Sequence, residues 1–168
     1  MKRVVAAIVC LMVAAQVWGQ VKNAGCTLRL IEPETTAEDL TWENDTVKVK
    51  FEFNAMNYFV CVNVWNKTQK TITVDWDKFL IIKGNTSSSI IFDDTVMLLK
   101  DQPKGSSSIA PGTMIWKNVT DPSNVEYNLE LYRKKDIKKY GNKQIGFVVP
   151  VISGGSTTEY RFTVEISL

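Results

Sequence analysis

Strict two-residue alternation recurs along this chain and leaves few folds open to it. Between residues 46 and 53, Val47, Val49, Phe51 and Phe53 point one way while Lys48, Lys50 and Glu52 point the other. Residues 159–168 repeat the pattern, with Tyr160, Phe162, Val164, Ile166 and Leu168 set against Arg161, Thr163, Glu165 and Ser167. Successive side chains of a strand leave opposite faces, so each stretch has one apolar and one wet face, as an antiparallel sheet requires.

The longest organised stretch runs over residues 58–82. Tyr58, Val60, Val62 and Val64 give one strand face that is wholly apolar, with Phe59, Cys61, Asn63 and Trp65 on the other. After the polar residues 66–70, Ile72, Val74 and Trp76 take up the same period, which predicts a hairpin. Residues 26–31, 114–119, 127–132 and 145–152 are further strand candidates. Pro150 marks the last of these as an edge strand or one that bends. Ser153-Gly154-Gly155-Ser156 predicts a tight turn, and residues 101–108 predict a loop. No longer stretch carries a helical period. Short strands between turn signals indicate an all-β chain, an immunoglobulin-like antiparallel β-sandwich.

Residues 1–19 read as a signal peptide: Lys2 and Arg3 precede an apolar run to Val17, which is too short to span a bilayer. Residues 20–45 then form a leader with a first strand, and residues 46–168 the sandwich domain. Of the 20 Lys and Arg residues, Lys2 and Arg3 belong to that signal, leaving 18 against 18 Asp and Glu. A mature chain of neutral charge has no global field to attract nucleic acid. With Cys10 in the signal, Cys26 and Cys61 remain. In an oxidising compartment they are candidates for one disulfide. Ala24-Gly25-Cys26 also offers a lipidation site, the only route by which this chain is expected to reach a membrane, although Asn23 and the polar residues before it make a poor lipobox. Cys61 also reads as a buried thiol of a core strand.

The chain has no histidine. That excludes Ser-His-Asp and Cys-His nucleophilic systems and the commonest metal ligand. With only two cysteines besides, neither a zinc site nor any other cofactor is expected. Gly-rich phosphate loops are absent too. Carboxylate pairs remain: Asp93-Asp94, and Asp75 with Asp77 about Trp76. They have the chemistry to bind calcium or to act as acid and base, but such pairs more often shape turns. Arg133, Lys134, Lys135, Lys138 and Lys139 form a basic run suited to an anionic polysaccharide, a lipid headgroup or an acidic partner, or simply to solvent. Asn44, Asn66, Asn85 and Asn118 head Asn-x-Ser/Thr sequons. Trp42, Trp65, Trp76 and Trp116 suggest a carbohydrate platform, against which stands the ordinary expectation that tryptophans in alternating strands are core.

NKTQKTITVDWDKFLII (residues 66–82), SIAPGTMIWKNVTDPSNV (108–125), and the ending IGFVVPVI with EYRFTVEI resemble a group of uncharacterised bacterial cell-envelope proteins. Their shared pattern is an NKT turn, an Ile-x-Ile-x-Trp-Asp strand and an Ile-x-Pro-Gly turn. The resemblance implies an exported scaffold, in the periplasm or at the cell surface, with no established catalytic residues. The expected role is a non-catalytic binding or accessory module whose partner is an envelope protein or a glycan. A subunit of a surface appendage and a carboxylate-dependent hydrolase are the alternatives.

Overall fold

The computed structural model describes residues 20–35 and 39–168. The expected signal peptide therefore lies outside the described residues. Thirteen strands are described: β1 (Val21–Asn23), β2 (Cys26–Glu32), β3 (Thr41–Glu43), β4 (Val47–Phe53), β5 (Val60–Asn66), β6 (Ile72–Asp75), β7 (Leu80–Lys83), β8 (Thr86–Ser88), β9 (Ile91–Phe92), β10 (Ser106–Ile109), β11 (Met114–Thr120), β12 (Lys143–Ser153) and β13 (Ser156–Ser167). Two short helices, α1 (Pro122–Glu126) and α2 (Lys134–Tyr140), and a 3-10 turn at Met97–Leu99 complete them.

All pairings are antiparallel and fall into two sheets. One runs β1-β2-β13-β12-β6-β10, with β7 also on β12 and β8 on β7; the other runs β3-β4-β5-β11-β9. The chain is an antiparallel β-sandwich. The alternating stretches are its facing layers: Val47, Val49 and Phe51 meet Phe147, Phe162, Val164 and Ile166 in one apolar core. Phe51 stacks on Phe147 at 4.7 Å between ring centroids and meets Phe162 edge-on at 5.1 Å. Residues 21–32 and 41–43, assigned from sequence to a leader and its first strand, belong to this body. β1 and β2 extend the larger sheet and β3 pairs with β4.

The expected hairpin between residues 58 and 76 does not form. β5 pairs with β4 and β11, whereas β6 pairs with β10 and β12, so the chain crosses from one sheet to the other. Asn66 fixes the corner. Its buried amide donates to the carbonyls of Lys70 and Ile109, and its Oδ1 accepts from the backbone and hydroxyl of Thr68. Alternation alone suits a hairpin and a crossover equally, because both need one apolar face per strand.

Pro150 sits in neither an edge strand nor a break. β12 is interior, with β13 along its whole length on one side. On its other side β7 pairs with Ile145–Val148 and β6 with Val151 and Ile152. Pro150 falls where one neighbour ends and the next begins, a position at which a missing N–H breaks no ladder. The turn at Gly154 and Gly155 has positive φ at both positions (59° and 84°), the geometry of a two-residue hairpin loop. Residues 127–132 form no strand. Leu131 and Tyr132 are nevertheless buried, and the segment leads into α2.

Candidate binding face

In an antiparallel pair, residues directly opposite share a face. Met114 stands opposite Trp65, Trp116 opposite Asn63, and Asn118 opposite Cys61. Lys48 stands opposite Trp65, Lys50 opposite Asn63, and Glu52 opposite Cys61. Since Val60, Val62 and Val64 fill the inner face of β5, all these residues lie on the outer face of the five-stranded sheet. Trp116 is 57% exposed and Met114 is also exposed, while Trp65 is partly covered by Lys48, whose Nζ lies 5.1 Å from its ring centroid. Trp65 and Trp116 occupy diagonal positions, within reach of a common ligand.

Polar groups frame the rings. Asn63 donates from Nδ2 to Glu52 at 2.9 Å, and Lys50 pairs with both Glu52 and Asp39. Hydrogen bonding to Glu52 outweighs partial burial and raises the Lys50 pKa. Asn118 donates to Asp93 at 2.6 Å. The face combines flat apolar rings with donors and acceptors at their rim, and both signs of charge.

The other aromatic candidates divide differently. Trp76 is buried, donates from Nε1 to Ser107 at 2.9 Å, and packs on Phe79 and Phe92. Trp42 packs against Tyr160 and Phe162 at the end of the core. The expectation of core tryptophans holds for these two and is corrected for Trp65 and Trp116. The signal that separates them was in the sequence: Trp65 shares its phase with Cys61 and Asn63, opposite an all-valine face.

The predicted carboxylates build turns. Asp75 pairs with Lys78 and accepts from the Asp77 backbone. Asp77 accepts from the backbones of Lys104 and Gly105, tying down the loop before β10. Asp93 holds Asn118, and Asp94 is exposed. Among the described residues, no group of three or more His, Cys, Asp and Glu converges as a metal site would require. Asn66 commits its amide to a buried carbonyl, while Asn118 bonds Asp93 at the surface.

Cys26 and Cys61 are both free, which corrects the disulfide expectation. Cys26 opens β2 in the larger sheet, and Cys61 stands on the outer face of the other. Burial raises the pKa of both thiols; Glu52 adds to the effect at Cys61 and Lys134 opposes it at Cys26. Cys61 is only partly buried, not the core thiol its neighbours suggested. A lipid on Cys26 would have to grow from a buried side chain, and cleavage before it would remove β1.

The basic run is helical. In α2, Arg133 at the N-terminal boundary pairs with Asp136 at 2.6 Å, while Lys134 lies across Gly25. Lys135, Lys138 and Lys139 are exposed, with Lys139 over the Tyr140 ring. A seven-residue helix with one buried position, Ile137, is too short to show a period in sequence.

No family model matches the chain, and no curated protein matches it. Among solved structures, an Archaeoglobus fulgidus protein aligns over 71% of this chain and 91% of its own, at 11% identity and a TM-score of 0.32. Among the described residues, no helix is long and apolar enough to cross a membrane.

Proposed function

We propose that this chain is an exported, non-catalytic binding module with an immunoglobulin-like sandwich, and that the outer face of its five-stranded sheet takes a neutral glycan. The observation that carries the reading is Trp116, 57% exposed and diagonal to the half-buried Trp65 on the outer face of the sheet, with Asn118 and Glu52 beside the rings. Indole rings stack on the apolar C–H faces of pyranose rings, and amides and carboxylates at the rim answer the hydroxyls. Lys48 and Lys50 stand against Glu52 and Asp93, so the face lacks the single sign of charge that a polyanion would select.

Depletion of the protein by insoluble polysaccharides, followed by titration with soluble oligosaccharides, tests the proposal. Trp65→Ala and Trp116→Ala should each weaken binding by roughly tenfold or more while the fold stays intact. If both variants bind as well as the parent, the face is not the site. If no neutral glycan binds, the glycan reading fails, and a crosslinked protein partner from the envelope would favour the accessory role.

A further inference from the structure

A second site is built between α2 and the start of β12. An open cavity of about 380 Å³ is lined by Arg133, Asp136, Ile137, Tyr140, Asn142 and Lys143. Lys143 also lines an adjoining cleft of about 550 Å³ along β12 and β13.

The charges around Lys143 do not balance. Lys83 pairs with Asp121 at 2.7 Å, and Arg133 pairs with Asp136 at 2.6 Å. Among the described residues no carboxylate lies within 4 Å of the Lys143 ammonium; its hydrogen bond goes to the carbonyl of Leu131, at 3.1 Å. An ammonium has three donors, so two remain for a ligand. Burial, with Lys83 and Arg133 nearby, lowers the Lys143 pKa, and Asp136 only partly opposes them. Lys139, over the Tyr140 ring, adds a further positive charge at the rim. A half-buried cation that lacks its own counter-ion and opens on a cavity is a receptor for an anion.

We infer that this cavity binds a small monocarboxylate, its carboxylate on Lys143 and its apolar end toward Ile137 and Tyr140. Within the cavity Lys143 is the cation that lacks a carboxylate partner, which calls for one negative charge there, and Asp136 in the wall repels a second. The cavity holds a compact molecule, and its walls are part apolar.

Titration with benzoate, acetate and inorganic phosphate, followed by lysine side-chain NMR, tests the assignment. Saturable binding is expected in the order benzoate, acetate, phosphate, with the Lys143 titration moving to higher pH as the ligand fills the cavity. Lys143→Gln should weaken benzoate binding by roughly 10- to 100-fold, the loss of one charged hydrogen bond. Arg133→Gln, which leaves Asp136 uncompensated without touching Lys143, should also weaken it. Lys138→Gln should leave it unchanged, and unaltered thermal unfolding shows that each variant is folded. Absence of saturable binding, equal binding by folded Lys143→Gln, or phosphate binding tightest overturns the inference.

Discussion

Trp76 and Trp116 are the same side chain placed in two different solvents. Trp76 is 1% exposed, with its indole N–H bonded to Ser107 and its ring between Phe79 and Phe92. Trp116 is 57% exposed and stands opposite Asn63 on the outer face. Cys26 and Cys61 repeat the contrast, one buried in β2 and the other partly open beside that same outer face. A large aromatic inside a sandwich stabilises the fold. On a wet face it adds little stability, and its surface is available to a ligand.

The largest effect that would test this contrast is Trp76→Ala, which should cost about 3–5 kcal/mol in denaturant unfolding through the cavity it leaves. A loss under 1 kcal/mol would mean that the inner face is not close-packed there. Asn66→Ala comes next. It removes four side-chain hydrogen bonds at the crossover, among them the buried one to the Ile109 carbonyl, while Thr68 still serves the Lys70 carbonyl, a loss of about 2–4 kcal/mol. Asn85→Ala, on an exposed turn, should be silent by the same measurement.

Asp121 tests the buried polar groups by pH. Burial raises its pKa, but hydrogen bonds from Lys83, Ser123 and Ser88 outweigh this and hold it below the usual carboxylate range. Its contribution is therefore present above the unfolded value of about 4 and is lost as pH falls through the lower folded value. Asp121→Asn should flatten that part of the acid limb in unfolding midpoints taken downward from about pH 5. With a thiol reagent, Cys61 should react in the folded protein, slowly at neutral pH because its pKa is raised, and Cys26 only on unfolding. Equal rates would erase the inner–outer distinction. Trp116→Ala should change stability by less than about 0.5 kcal/mol. A cost approaching that of Trp76→Ala would show that Trp116 supports the fold instead of serving the surface.

Much of the sandwich was legible because alternation is a direct image of burial. Val47, Val49 and Phe51 on β4, and Phe162, Val164 and Ile166 on β13, were placed correctly as core from period alone. The glycine turn after β12 was legible for an equally local reason. Sheet membership was not, because β5 and β6 alternate alike whether they pair with each other or part at Asn66. The outer-face tryptophans lay between these cases: Trp65 and Trp116 have polar strand-mates in Asn63 and Asn118, but residue type argued for burial and obscured the phase. Nor could the Lys143 cavity be read from sequence. Its parts come from α2 and β12, and the carboxylates that leave Lys143 unpaired are committed to other cations by tertiary contacts.

The central position of β13 also sets an order of events. It lies between β2 and β12, so the amino-terminal strands join the rest of the larger sheet only through residues 156–167. As the chain emerges from the ribosome, residues 21–32 must wait for a partner more than a hundred positions downstream. Until then the larger sheet cannot close over the core. The larger sheet is completed only once residues 156–167 can pair on both sides.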